Sequence, residues 1–546
     1  MPHGQKNGER DNAGFNYKGI SSWILDNIVT ILFVVFVLYG FSVSEGISIH
    51  FFLTDLNSRI FRNTFLVLSL IIPVLAGLGL NFGIVIGAMS AQAAVAIVRY
   101  FHYYYPFYFG GMVGLVWCWI ISFFIAAFCG YLTGKLYNKT RGQEMIASLI
   151  VGFFANGVYQ FFFLFVVGVI LKVPATHPMI KPDGVGIRMT VDLVPVEKGG
   201  LKYVLDNIYQ IPFVYALLTI SLALLAMFVI GYCINIKRGR GHKNRPMSFG
   251  FNVLMCLIAA GFAFYAIAAT PKLTSRLNAA ASDLTAIASS LEAEPDLGVV
   301  ESELNAMTSA LEAIAAESNE VIAAKLNAIA SEINSMIPNL KPNILNAVAS
   351  IFYDVATKIS AVAVESSPNA IVANLMQVRT VPVATGLLII GLCMFTWLIM
   401  KTKLGQDFRS VGQSQHIAEV SGINVDRTRI IATMISTVLA AWGQLIYLQN
   451  MGTLNTYGAH TQIGMFSVAA LLVGGASTSK ASVRNAVFGT ILFNAMFIMS
   501  PVIGKSVFGN AALGEYFRTF MVYGVIGLAL GLYVWEANKK NRIVVE

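Results

Sequence analysis

Charge is what this sequence has least of. Only 12% of its 546 residues are Asp, Glu, Lys or Arg, while 56% are hydrophobic. A soluble domain carries about 25% charged residues. Cysteine is equally sparse. Cys118, Cys129, Cys233, Cys256 and Cys393 all sit in apolar runs, with no CxxC and no Cys/His cluster. Neither a disulfide framework nor a metal site is indicated. A phosphate loop is missing too: GGASTSK at 474–480 lacks the G-x-x-x-x-G-K-[ST] spacing, so no ATPase is expected within the chain. Few ionisable groups interrupt the apolar runs, and no Asp/Glu/His chain suggests a proton relay. That argues against ion or proton coupling. The seven histidines are scattered, mostly in loops, which leaves no Ser/His/Asp or Cys/His arrangement for catalysis. The net charge of +9 does not point to nucleic acid, because Lys and Arg concentrate in the cytoplasmic loops of membrane proteins.

What is present is a series of apolar stretches. A membrane span needs about 20 such residues. After a polar tail at 1–19, candidates lie at 20–41, 64–80, 110–132, 145–171, 211–234, 249–269, 381–400, 430–448, 487–503 and 517–535. Two shorter pieces, 84–98 and 463–473, are set off by glycines. The expected fold is an all-α polytopic membrane protein with about ten transmembrane helices plus two short broken ones. The first span would serve as a signal-anchor; cleavage would have to use Ser42 and Ser44. RYFHYYYP at 99–106 reads as an aromatic belt, and 201–208 as a surface helix. The basic clusters at 135–141, 237–245, 401–429 and 539–542 belong on the cytoplasmic side. Span parity then places the loop 172–210 and the segment 271–380 outside.

Two stretches between the spans stand apart. Segment 271–380 is Ala-rich and acidic, with six Lys/Arg against twelve Asp/Glu. Leu304, Met307, Leu311 and Ile314 step by three and four, as do Leu326, Ile329, Ile333 and Met336. That spacing marks amphipathic helices. Pro295, Pro338, Pro342 and Pro368 divide them, so two or three antiparallel helices are expected in an extracytoplasmic insert between a first transmembrane half (20–270) and a second (381–546). The insert reads either as a docking element or as a decoration that packs on itself. Stretch 401–429, KTKLGQDFRSVGQSQHIAEVSGINVDRTR, is the longest basic interruption in the C-terminal half. Its helix formers and small residues suit either a short helix on a membrane face or a plain connecting loop.

The glycine-interrupted pieces fall at matching places, one after Asn81 and one ending at Gly474-Gly475. Broken helices in corresponding positions of two halves point to a transport path; close helix packing is the other reading. Polar residues within the spans are Asn81, Ser90, Gln92, Asn156, Gln160, Gln444 and Asn494. Each must face the bundle interior. There it meets either a hydroxylated solute or a neighbouring helix.

The pattern T-x-x-G-x-x-x-R-x-V-G followed by A-x-x-S-G-I-x-V-x-R is carried here by Thr402, Gly405, Arg409, Val411, Gly412, Ala418, Ser421, Gly422, Ile423, Val425 and Arg427. It resembles the cytoplasmic coupling loop of ABC-importer permeases for branched-chain amino acids, simple sugars and nucleosides. TYGAHTQIGMFSVAALLVGGASTS at 456–479 and AGLGLNFGIVIGAMSAQAA at 76–94 extend the likeness, and RGQEMIASLIVGFFAN at 141–156 is similar to the nucleoside branch. The resemblance covers 64–270 and 381–542; the Ala-rich insert is a departure from it. It implies a bacterial cytoplasmic-membrane permease, not an enzyme. The implied partners are a cytoplasmic ABC ATPase that holds the ATP and magnesium, a second permease subunit and an extracytoplasmic substrate-binding protein; the solute would be a simple sugar or nucleoside. Arg409, His416 and Glu419 become candidate ATPase contacts, with Gly405, Gly412, Ala418 and Gly422 allowing close approach. The rival reading is a secondary carrier or channel.

Overall fold

The computed structural model describes residues 28–527, apart from 44–48, 182–185, 195–198, 238–252, 266–271, 292–296, 317–319, 338–344, 366–377 and a few single positions. Within these limits the protein is an all-α, multi-pass membrane protein. Seven of the described helices are long and apolar enough to cross a bilayer, or eight if one bent pair counts as a span. The N-terminal part of the first expected span and the C-terminal part of the last lie outside the described residues, and only pieces of 249–269 are described.

The chain opens with α1 (Ile28–Val43) and α2 (Ile49–Ser69), then a short continuation α3 (Ile71–Leu75). Here the structure departs from expectation. The second span starts at Ile49 rather than 64. It absorbs Asp55, Asn57, Arg59 and Arg62, whose polarity had concealed it. The piece after Asn81 is also longer than expected. Helix α4 (Ile84–Tyr104) is a full 21 residues, because Arg99 reaches the Asp192 carbonyl at 3.2 Å and so does not end the helix. Next come α5 (Gly111–Lys139), α6 (Glu144–Phe161, continued as a π-turn over Phe162–Ile170) and α7 (Phe213–Lys237). Residues 201–208 form turns rather than a surface helix. Leu201, Val204 and Leu205 are buried there, so the segment plugs the bundle.

Beyond the insert, α8 (Val383–Ile399) leads to two short helices, α9 (Lys403–Gln413) and α10 (Gln415–Val420). Helices α11 (Val425–Met451), α12 (Ala459–Val473) and α13 (Val483–Phe508) complete the described bundle. One hydrophobic core draws on both sides of the insert, from Phe33 to Leu205 and from Leu392 to Ile526. The central seam is α11 against α4 and α5. A Cβ on Gly134 would lie 2.9 Å from the Ile430 Cα, and one on Gly87 would lie 2.4 Å from the Thr437 carbonyl oxygen. Small residues allow backbones to meet in a membrane, where no hydrophobic drive exists between helices.

The two ends of the bundle are distinguished by what meets there. At one end short strands close the loops: β1 (Thr190–Asp192) pairs antiparallel with β4 (Thr453–Asn455), and β2 (Gln210–Ile211) with β3 (Val381–Pro382). At the other, the basic stretches 135–141 and 401–429 come together. The insert rejoins the bundle at the strand end.

The insert comprises four helices rather than two or three: Lys272–Leu291, Leu297–Ala316, Glu320–Met336 and Leu345–Glu365. The piece between Pro295 and Pro338 is described as two helices, one ending at Ala316 and the next beginning at Glu320, with no proline in the sequence between them. These helices bury their own core, with Leu284, Leu304, Leu311, Leu326, Ile333 and Phe352 inside. A fragment spanning 272–365 is expected to fold alone, giving a helical circular dichroism spectrum and one cooperative urea transition. Phe352→Ala should cost that fragment about 3–5 kcal/mol; a non-cooperative wild-type transition would refute the autonomous core.

Candidate functional site

Two sites emerge, one at the basic end and one within the bundle. The first begins with a turn. Gly77 and Gly79 adopt φ values of +74° and +69°, which carry the chain from α3 back into α4. Helix α9 docks against this turn. A Cβ on Gly412 would lie 2.2 Å from the Leu75 carbonyl oxygen, and one on Gly77 would lie 2.8 Å from the Gly412 Cα. Thr402 caps α9, Ser414 caps α10 and Asn424 caps α11 through side-chain oxygens, as short polar residues do at helix starts.

This changes the roles of the small residues. Gly405, Gly412 and Ala418 are not surfaces for a partner. Gly405 backs onto the Ile399 carbonyl, Gly412 onto Leu75, and Ala418 is buried. They let the two short helices lie flat on the protein itself. Arg409, His416, Glu419 and Gly422 are exposed. Ile417 and Val420 accompany them outward, 66% and 77% exposed. Sequence reasoning missed this apolar pair, although its place in a basic loop was visible.

Beneath lies an ion-pair network. The Arg429 guanidinium donates to Glu144 Oε1 at 2.6 Å and to the Tyr137 carbonyl at 3.2 Å. Arg429 is fully buried and Glu144 nearly so. Glu144 also accepts from the Gly142 amide at 3.0 Å. Outside this pair, Arg141 bridges Asp426 at 2.6 Å and Glu419 at 3.0 Å. These hydrogen bonds raise the Arg141 pKa, Asp426 first and Glu419 second. Arg141, Glu419 and Asp426 line an open groove of about 340 Å³.

The second site is a buried polar network between α4, α6 and α12. Tyr159 donates to Gln92 Oε1 at 2.8 Å. His460 stands between two amide oxygens, with Nδ1 at 3.0 Å from Gln92 Oε1 and Nε2 at 2.7 Å from Asn156 Oδ1. Gln160 donates to Asn156 at 3.3 Å and to the Tyr457 carbonyl at 3.4 Å. The structure therefore gathers Gln92, Asn156 and Gln160, and adds His460 and Tyr159. His460 is no loop histidine, since it opens the short helix α12 and is wholly buried.

The other expected path residues lie elsewhere. Asn81 sits at the basic end, accepting from Tyr137 at 2.9 Å and from the Gly83 amide at 2.9 Å. The first glycine break thus seats α9 and does not open the middle of the bundle. Ser90 donates to its own helix, at the Ile86 carbonyl. Asn494 accepts from Asn63 at 2.9 Å. Gln444 is fully buried on α11, and neither amide atom has a hydrogen-bond partner among the described residues.

A membrane bundle with a polar seam inside and a folded, partly apolar ledge at its basic end has the build of a transport permease. The chain belongs to the family described as the branched-chain amino acid transport system / permease component, whose model matches residues 208–528. It is similar to the probable ABC transporter permease protein YphD of Escherichia coli (strain K12), 33% identical over 116 residues, 21% of this chain and 34% of that protein. It is also similar to the nucleoside ABC transporter permease protein NupC of Lactococcus lactis subsp. cremoris (strain MG1363), 28% identical over 153 residues, 28% and 46% of the two chains. A third relative is the xylose transport system permease protein XylH of Haemophilus influenzae (strain ATCC 51907 / DSM 11121 / KW20 / Rd), 30% identical over 145 residues, 27% and 36%. The matches span about a third to a half of these relatives. No solved structure matches.

Removing one partner of a buried pair leaves the other charge uncompensated. Glu144→Gln and Arg429→Gln should each destabilise the detergent-purified chain by about 3–5 kcal/mol, and the double change to Met should cost less than either. Thermal melting distinguishes these outcomes; additive losses would count against a coupled pair. Gln444→Leu removes an unsatisfied buried amide and should raise the melting temperature, by the equivalent of about 1–3 kcal/mol.

Proposed function

We propose that this chain is a transmembrane permease subunit of an ABC importer in a bacterial cytoplasmic membrane, carrying a simple sugar or a nucleoside. Family membership supports the importer class. The named relatives support the solute class, as does the network around His460, whose amides, phenol and imidazole suit a hydroxylated solute. The basic end faces the cytoplasm by the positive-inside rule. The ledge of α9 and α10 receives a separate ATPase that hydrolyses ATP with magnesium. Ile417 and Val420 supply its apolar contact, and Arg409, His416, Glu419 and Gly422 its polar rim. A second permease subunit completes the pore. An extracytoplasmic binding protein delivers solute at the strand end, on the same side as the insert.

The coupling follows from the packing. Helix α10 is tied to α11 through Gln415 and Arg429 (3.5 Å), and through Glu419 to Arg141 in the loop between α5 and α6. A push on the ledge therefore moves α11, whose other face packs on α4 beside Gln92. The observation that carries the reading is the exposed apolar pair on a ledge whose Gly405, Gly412 and Ala418 are turned inward.

Ile417→Asp with Val420→Asp should abolish co-purification of the ATPase from native membranes in mild detergent, without changing the melting temperature. Retained co-purification would sink the docking assignment. His460→Leu should leave the ATPase attached while cutting uptake tenfold or more. By contrast, Gly412→Glu should unfold the ledge, because its side chain has nowhere to go beside Leu75.

A further inference from the structure

Helix α2 brings three charged residues into the bundle that no sequence reading had placed there. Arg59 pairs with Asp55 on its own helix at 2.9 Å, and its guanidinium lies 5.5 Å from the centre of the Phe497 ring. Arg518 covers the same ring at 3.8 Å and pairs with Glu515. Each of these two cations has its own carboxylate.

Arg62 does not. Among the described residues it has no carboxylate within 4 Å. Its Nε is buried without a hydrogen-bond partner. Its Nη1 meets the Met451 sulfur at 2.7 Å, a weak acceptor. The guanidinium lies 5.3 Å over the Tyr447 ring. Met451 closes α11, so this cation stands at the strand end of the seam. The acids near it are occupied. Asp55 is held by Arg59 and Glu515 by Arg518. Asp206 accepts from Thr385 (2.7 Å), Gln449 (3.0 Å) and Asn450 (2.6 Å).

A half-buried guanidinium in a bundle with no carboxylate in contact is costly, and such groups mark ion and substrate paths. Its planar fork matches a carboxylate or phosphate in two parallel hydrogen bonds. We propose that Arg62 anchors an anion subsite at the outer mouth of the path, and that the solute carries one carboxylate or phosphate group. The Tyr447 ring holds the Arg62 plane. The adjacent Asn63–Asn494 amide pair hydrogen-bonds the neutral remainder of the solute. This replaces the neutral sugar or nucleoside by an acidic derivative of one and rests on the importer reading; the anion subsite itself does not.

The test is equilibrium dialysis of the full-length chain in detergent, with neither ATPase nor nucleotide triphosphate present. The probes are glucuronate against glucose, and adenosine 5′-monophosphate against adenosine. At least one anion should bind tenfold or more tightly than its neutral parent, and which one does so separates carboxylate from phosphate. Arg62→Gln should erase that preference and Arg62→Lys should keep part of it. Lys358→Gln, in the insert, should leave it unchanged. Should Arg62→Gln fail to fold, Arg62→Lys carries the test through a several-fold weaker preference. The proposal is overturned if neither anion outbinds its neutral parent, if no probe binds, or if the preference persists undiminished in the Arg62 variants. Loss of ATPase co-purification would count against the importer reading and leave this result standing.

Discussion

The salt bridge between Glu144 and Arg429 is the contact on which the basic end depends. Glu144 begins α6 and Arg429 lies one turn into α11, far apart in sequence and 2.6 Å apart in space. Burying two charges is expensive, and their attraction offsets that cost only with good geometry and further hydrogen bonds. Tyr137 and Gly142 supply those bonds. The pair thereby fixes three helix ends, those of α5, α6 and α11, in one register. Every exposed feature of the ledge inherits its position from that register.

Close backbone contact does the rest. The ledge lies flat because Gly412 and Gly77 meet without side chains, and the central seam closes because Gly87, Gly130 and Gly134 admit α11. Contacts of this kind tolerate no added methyl, so the ledge is held against the α3–α4 turn and α11 against α4 and α5. In the proposed importer that stiffness is what carries a push from the ATPase to the network at Gln92 and His460.

Polarity inside the bundle is distributed unevenly. At one place amides and an imidazole satisfy one another; at another, Gln444 has no hydrogen-bond partner among the described residues; at the strand end, arginines stack on aromatic rings. A solute at the first exchanges existing hydrogen bonds for its own, whereas an unsatisfied group gains a partner outright. The seam thus combines a fully paired section with sections whose hydrogen-bonding capacity is unspent.

The multi-pass helical class and the importer-permease family were legible in the sequence, because apolar length and the glycine-arginine pattern of 401–429 are local properties. Amphipathic helices in the insert were legible too, through Leu304, Leu326 and their neighbours, although the fourth helix was not. Only tertiary structure decided the rest. Asp55, Arg59 and Arg62 disguised half of α2, since a charged residue looks like a loop until its surroundings in the bundle are known. Gly412 and Ala418 could have faced a partner or the protein itself, and the position of Leu75 settled it. Asn81 and Gln92 looked alike along the chain, yet one braces a turn at the basic end and the other joins His460. The sequence by itself determined that the chain is a multi-pass helical membrane protein, because solvation depends on composition. Which polar groups meet there was decided by the packing, because a hydrogen bond depends on two positions at once.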